Sequence, residues 1–148
     1  MDVNNTAALL FGSQHTQRVL IGLHPPPMDI IRLWQIFLEN VNPLTKVIHA
    51  PTVQQQVLEA SINLGGLAKS MEALLFSIYS LAIASIDASR CKVVFGEDRS
   101  ILLERYQFGA QQALLNAEFL RPSTLAILQA LLLYLVSLTL ARYNDFHL

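Results

Sequence analysis

The sequence predicts an all-α protein, a single bundle of about five helices around a buried apolar C-terminal helix. Three observations support this prediction. An uncharged apolar stretch runs from Leu125 to Leu140, an apolar repeat at helical spacing follows the triple proline at 25–27, and no alternating strand pattern of useful length occurs. The 148 residues are 53% apolar, which suits one domain with a sizeable core.

The N-terminal residues 1–23 alternate polar clusters with short apolar pairs, and we predict a flexible arm there. The domain itself is predicted over residues 24–148. The triple proline suits the first turn of a helix but not its interior. The helix that follows it carries one apolar stripe, formed by Ile30, Leu33, Trp34, Phe37, Leu38 and Val41.

The middle of the chain contains start signals for two more helices. Pro51 and Thr52 open the first, because Thr52 and Gln55 stand at the spacing of a capping box. Ser70 is the predicted N-cap of the second. Glu72 would then lie in its first turn, where the helix dipole favours a negative charge.

The second of these helices is uncharged from Ala73 to Ile86 and is too short to span a bilayer comfortably. After a turn at 96–98, residues 98–118 predict a long helix. Its small residues would let a neighbouring helix approach closely. The predicted inward face consists of Leu102, Leu103, Tyr106, Gly109, Ala110, Ala113, Leu114 and Ala117.

The apolar stretch near the C-terminus is long enough to cross a membrane. Polar residues interrupt it, and Arg121 and Arg142 give no charge asymmetry across its ends. The amphipathic helices that precede it need an apolar surface to cover. We therefore predict that this stretch is the buried central helix of the bundle, and that contact with a membrane is not its role.

The charge balance argues against direct binding of nucleic acid. Ten basic and eleven acidic residues give a net charge of −1, with no block of one sign. Cys91 is the single cysteine, which excludes an internal disulfide, and its neighbours Arg90 and Lys92 could lower the pKa of its thiol. The four histidines are scattered and no phosphate-binding glycine pattern occurs, so we expect no metal and no cofactor. The N-terminus lacks a secretory signal, which predicts an intracellular protein.

Three segments carry a family resemblance. They read LWQIFLENVNPLTKVIHAPT (Leu33–Thr52), EALLFSIYSLAIAS (Glu72–Ser85) and FGEDRSILLERYQFGAQQALLNAEFLRPSTLAILQALLLYLV (Phe95–Val136). As a set, they resemble the fungal-specific transcription factor domain, the regulatory middle region of zinc binuclear cluster regulators. The resemblance covers most of residues 25–140.

Two departures from that family limit what the resemblance implies. The zinc cluster of the family needs six closely spaced cysteines, and this chain has one. The domain of the family usually continues through further helices, so the resemblance reaches only its N-terminal half. It therefore implies a truncated regulatory domain without a DNA-binding module.

The first functional hypothesis is a regulatory or interaction protein located in the nucleus. The chain would pair its apolar helix faces with a protein partner or with another copy of itself. The physical reason is that a chain of this composition holds more apolar surface than a five-helix domain can hide.

The alternative is a cofactor-free cyclase or isomerase, a pericyclase-like enzyme of fungal secondary metabolism located in the cytoplasm. It would hold a hydrophobic terpenoid or polyketide in a helical pocket. Arg105, Tyr106 and Tyr79 are the catalytic candidates, as donors to a developing negative charge on a carbonyl. The ligand-binding candidates are Trp34, Tyr79, Arg105, Tyr106 and Gln129. An enclosed cavity in which these groups converge would favour the enzyme, whereas an exposed apolar helix face would favour the partner.

Overall fold

The computed structural model describes residues 19–120 and 125–147, except for the side chains of 118–120 and 144–147. Within these ranges the secondary structure is helical and contains no strand, which confirms the all-α class. Residues 19–23 and the short 3-10 turn Leu64–Gly66 are also helical. The α-helices are α1 (Pro27–Asn40), α2 (Asn42–Thr45), α3 (Ala50–Ile62), α4 (Lys69–Ala84), α5 (Ala88–Phe95), α6 (Arg99–Leu120) and α7 (Leu125–His147).

Helix α4 lies at the centre of the bundle. Every residue from Glu72 to Ala84 is buried, because α6, α7 and α1 all pack against this helix. An α-helix that is apolar around its whole circumference needs such cover on all sides. The hub of the fold is therefore the shorter of the two uncharged helices.

The prediction that the C-terminal helix is the buried centre of the bundle needs correction. Helix α7 contributes a narrow buried stripe to the core and leaves most of its leucines exposed. Its composition shows how much apolar surface it carries, but neighbouring helices decide how much of that surface is covered. The buried stripe consists of Ile127, Ala130, Leu133, Ser137 and Ala141.

The contact between α4 and α6 follows the prediction. All eight residues of the predicted inward face of α6 are buried. A Cβ atom built on Gly109 would lie 2.5 Å from the ring of Phe76, so only glycine allows this ring to pack against the α6 backbone. The small residues of α6 therefore set the close approach of the two central helices.

The helix starts agree only in part with the predicted signals. Helix α1 begins at Pro27, as the triple proline predicts. Helix α3 instead begins at Ala50, so Thr52 lies inside its first turn and cannot act as the N-cap. The N-cap is His49, whose Nδ1 atom lies 2.8 Å from Oγ1 of Thr52. Similarly, α4 begins one residue before Ser70, although Glu72 does lie in its first turn.

The predicted N-terminal arm is described only in its last part. Residues 19–23 form a helical segment, and the side chain of Leu20 is fully buried. Residues 1–18 lie outside the described residues. The division into an arm over 1–23 and a domain over 24–148 therefore stays a prediction.

Candidate protein-interaction surface

Helix α7 presents an exposed row of leucines, which we call the leucine face. Four of its members recur at alternating steps of three and four residues, the spacing of a heptad seam, and these are Leu128, Leu131, Leu135 and Leu138. These four side chains are 38–59% exposed. The leucine face consists of Leu125, Leu128, Leu131, Leu132, Leu135 and Leu138.

The opposite side of α7 packs against α4, so the leucine face points to solvent. The buried stripe contains the small residues Ala130, Ser137 and Ala141, which allow α7 to lie close to α4. The hydroxyl of Ser77 on α4 lies 3.0 Å from the carbonyl oxygen of Ala130. Nε2 of Gln129 donates a hydrogen bond to the carbonyl oxygen of Val47 at 3.1 Å. These contacts fix the rotation of α7 about its own axis.

An apolar groove borders the leucine face near the C-terminal end of α7. Its volume is about 480 Å³, and α1, α2, α4 and α7 all contribute to its walls. Leu44 and Tyr143 on its rim are strongly exposed. None of the described side chains that line it is charged, which suits an apolar occupant. The lining consists of Asn40, Val41, Leu44, Thr45, Leu81, Leu135, Val136, Thr139, Leu140 and Tyr143.

A second groove, of about 590 Å³, is more polar and includes one of the predicted site residues, Arg105. The two terminal guanidinium nitrogens of Arg105, Nη1 and Nη2, donate to the carboxylate of Glu97 at 3.0 Å. This hydrogen-bonded pair lowers the pKa of Glu97 and raises the pKa of Arg105. The Arg105 guanidinium is thus paired with the Glu97 carboxylate, so the groove offers no unpaired guanidinium to a substrate oxyanion.

The predicted tyrosines lie in the core, outside both grooves. The rings of Tyr79 and Tyr106 are in contact, with centroids 5.4 Å apart. Burial raises the pKa of both phenols above their ordinary value, so both stay protonated at neutral pH. The hydroxyl of Tyr79 already has a partner, since it lies 3.2 Å from Nδ1 of His24.

Trp34 and Gln129 also have partners within the protein. The indole nitrogen of Trp34 donates to Oε1 of Gln54 at 3.3 Å, and its ring stacks on Phe37. The structure therefore brings Tyr79 and Tyr106 together, with Arg105 beside Tyr106, but places Trp34 and Gln129 in other parts of the bundle. Assignment of the five residues to ligand binding stays a prediction, as does the catalytic role of Arg105, Tyr106 and Tyr79.

Sequence patterns did not predict one buried polar cluster, which consists of His24, Glu72 and Tyr79. Nε2 of His24 lies 2.9 Å from Oε2 of Glu72, and the His24 ring packs on Phe76 with a centroid distance of 4.3 Å. The partners of His24 stand 48 and 55 positions away along the chain. No local pattern could have signalled such a contact. The His24 and Glu72 side chains are almost completely buried, so the cluster joins the segment before α1 to helix α4.

Two further properties bear on the choice of function. Helix α7 is the one helix within 19–120 and 125–147 that is long and apolar enough to cross a membrane, over Leu125–Tyr143 with a mean hydropathy of 1.9. Only 28% of that stretch is buried. In the same described part of the chain, no group of three or more His, Cys, Asp or Glu side chains is arranged to hold a metal ion.

Comparison with known proteins finds relatives among fungal regulators. The chain is 42% identical to the transcriptional regulator AacuB of Aspergillus aculeatus, over 90% of this chain and 18% of the relative. It is 42% identical to the pyriculol/pyriculariol biosynthesis cluster transcription factor 1 of Pyricularia oryzae, over 97% of this chain and 19% of the relative. It is 40% identical to an aurofusarin cluster transcription factor of Gibberella zeae, over 88% of this chain and 19% of the relative.

These relatives confirm the resemblance to fungal transcription factors, and they give no support to the cyclase or isomerase alternative. The chain spans about a fifth of the length of the curated relatives it matches. No family model matches the chain. No solved structure matches it either.

Proposed function

We propose that this chain acts in transcription regulation of secondary-metabolite gene clusters, and that it does so by binding protein and not DNA. The observation that carries the proposal is the 40–42% identity to cluster regulators over at least 88% of this chain. A regulatory role places the protein in the nucleus. No direct contact with nucleic acid is part of the proposal.

The charge of the chain supports protein binding over DNA binding. Binding to duplex DNA relies on Lys and Arg side chains that neutralise phosphates, and this chain has ten basic against eleven acidic residues. The leucine face supports the protein alternative directly. Exposed apolar surface of this extent costs solubility unless another protein covers it.

The first experiment measures transcripts in the organism that encodes the chain. Deletion of the gene should change the levels of a set of biosynthetic-cluster transcripts several-fold, and reintroduction of the gene should restore them. Unchanged transcripts after deletion, under conditions in which the clusters are expressed, would refute the regulatory role.

A pair of matched variants tests the surface. In L128E/L135E, two charges replace leucines of the leucine face, and we expect the same transcript changes as in the deletion strain. Val93 on α5 is 82% exposed, so V93E is the control for an apolar-to-charged change elsewhere. If the double variant regulates transcripts normally, the leucine face is not needed for regulation. A gel shift of cluster promoter DNA by the purified chain would contradict the protein-binding mechanism.

A further inference from the structure

We propose that residues 19–24, which we call the strap, cover a binding site on α4 for a planar heteroaromatic small molecule, and that such a molecule displaces the strap. The ring of His24 occupies this site in the closed state and stands in for the ligand. The inference goes beyond the proposed function and does not depend on it, because it concerns a small molecule and not a protein partner.

The site holds the His24 ring by its face and by both of its nitrogens. The ring packs on Phe76 with centroids 4.3 Å apart and lies edge to face with the ring of Tyr79, at a centroid distance of 5.8 Å. Nε2 lies 2.9 Å from Oε2 of Glu72, and Nδ1 lies 3.2 Å from the hydroxyl of Tyr79. An aromatic surface with one acceptor and one donor at its edge selects a flat ring that carries both an N–H group and a ring nitrogen.

The shape of the site does not depend on the strap. Glu72, Phe76 and Tyr79 stand four and then three positions apart, so they share one face of α4. The Phe76 ring packs against the backbone of α6 at Gly109, which has no side chain to intervene. The Tyr79 ring contacts the ring of Tyr106, also on α6, with centroids 5.4 Å apart. Because α6 holds both rings, the site is pre-organised when the strap leaves.

Side chains, and not the backbone, attach the strap to the bundle. Leu20 and His24 are buried one helical turn apart, whereas Val19 and Ile21 are exposed. Among the residues that the structure describes, the amide of His24 donates to the carbonyl oxygen of Leu20 within the strap, and no backbone hydrogen bond joins the strap to another helix. The prolines at 25–26 have no N–H group to lose. The strap can therefore open locally while the bundle stays folded.

The polar groove beside the strap gives room for a ligand larger than imidazole. Leu23, the neighbour of His24, forms part of the wall of this groove of about 590 Å³. Phe108 and Tyr134 supply aromatic surface to the same groove. Departure of the strap removes Leu23 from the wall, so a fused ring seated on Phe76 extends into the groove. The added apolar contact allows a free molecule to compete with a tethered strap.

Competition between the strap and the ligand has a measurable consequence. The apparent affinity of the ligand is its affinity for the open site multiplied by the fraction of molecules in which the strap is open. A substitution that weakens the strap and leaves Glu72, Phe76 and Tyr79 unchanged should therefore tighten binding. A molecule that binds anywhere else shows no such dependence on the strap.

The test titrates the full chain with benzimidazole, which carries the N–H group and ring nitrogen of imidazole on a fused ring. H24A removes the competing ring and L20A removes the other buried anchor. Each should bind benzimidazole about tenfold or more tightly than the wild type in calorimetry. H49A is the control and should bind as the wild type does. Circular dichroism must show equal helicity, and either strap variant suffices if the other does not fold.

Two further measurements test the edge of the site. N-methylbenzimidazole lacks the N–H donor, so it should bind H24A about tenfold more weakly than benzimidazole does, because the carboxylate of Glu72 then has no partner. H24A/Y79F removes the donor to the ring nitrogen and should also bind benzimidazole more weakly than H24A does. In the wild type, half-saturation with benzimidazole should speed hydrogen exchange of the His24 amide several-fold, because the strap opens.

Several results would overturn the proposal. The wild type and the strap variants that fold could bind benzimidazole equally, which would place the molecule at another site. H24A could bind both benzimidazoles with the same affinity, which would make the site an unspecific cavity. The wild type could fail to bind at millimolar concentration, or bind without faster exchange of the His24 amide. In either case the strap is a fixed part of the fold.

Discussion

Nε2 of His24 lies 2.9 Å from Oε2 of Glu72, and this contact ties the segment before α1 to the first turn of the central helix α4. Both side chains are almost completely buried. The other ring nitrogen, Nδ1, lies 3.2 Å from the hydroxyl of Tyr79. With the ring neutral, Nε2 donates to the carboxylate and Nδ1 accepts from the phenol, so all three polar groups have partners.

The first prediction concerns removal of this imidazole. H24A leaves the carboxylate of Glu72 and the hydroxyl of Tyr79 buried without their partner, and we expect a loss of about 3 kcal/mol in the free energy of unfolding. Urea denaturation measures it. The control is H49A, because the ring of His49 is exposed and its hydrogen-bond partner is the nearby side chain of Thr52. A loss in H24A no larger than in H49A would contradict the structural role of the cluster.

The second prediction concerns Gly109. The added methyl group of G109A would lie 2.5 Å from the Phe76 ring, so we expect destabilisation by about 1–3 kcal/mol despite the better helix propensity of alanine. G22A is the control, since no described atom beyond its chain neighbours and its own helix backbone lies within 4 Å of its new methyl group, and it should be neutral or slightly stabilising. In the F76L background, G109A should cost less. Equal costs in both backgrounds would show that the ring is not the obstacle.

The third prediction concerns stability at high pH. Burial raises the pKa of Tyr79 and Tyr106 in the folded protein, while an unfolded tyrosine titrates near pH 10. Above about pH 10 the unfolded state releases protons that the native state keeps. Stability should therefore fall by about 1.4 kcal/mol per pH unit for each of the two tyrosines, with no contribution from them below that pH.

Urea midpoints across this pH range, together with phenolate absorbance, measure the effect. Tyr106→Phe should reduce the slope by about half, whereas Tyr143→Phe, at an exposed position, should leave it unchanged. Two of the four tyrosines should ionise only as the protein unfolds. Ionisation of all four in the folded protein would show that the phenols are solvent-accessible.

The fourth prediction concerns the single cysteine. The Cys91 side chain is fully buried, and burial raises the pKa of its thiol more than Arg99 lowers it. The sequence neighbours Arg90 and Lys92 point to solvent and do not produce the lowered pKa that their position suggested. A thiol reagent at pH 8 should therefore label the native protein slowly and the urea-unfolded protein at once. C91A/V93C should label rapidly when folded, and rapid labelling of native Cys91 would contradict its burial.

Local patterns predicted most of the helices and two of the faces that pack. The small-residue face of α6 is buried as expected, and so is the stripe of α1 apart from Leu38, which is half-buried. A repeat of apolar residues at helical spacing has few alternatives to facing the core. The helix caps were less predictable. Thr52 and Ser70 were the predicted N-caps, but both lie inside helices that begin earlier.

The candidate site was the least predictable part. Tyr79 and Tyr106 do meet in the core, with Arg105 beside Tyr106, but Trp34 and Gln129 have separate partners in other parts of the bundle. Polar groups within apolar helices can be satisfied by any facing element. Their types alone do not tell which of them converge. The contact of His24 with Glu72 likewise depends on chain segments that only folding brings together.

The sequence by itself determined the all-α class, the place of each long helix and the presence of two uncharged helices that need cover. Only the tertiary structure decided which of these two helices is covered on all sides. Helix α4 is enclosed by α1, α6 and α7, whereas α7 has a neighbour on one side and leaves its leucine face in solvent. The physical reason is that the hydrophobic effect depends on the area removed from water, and the packing of the other helices sets that area.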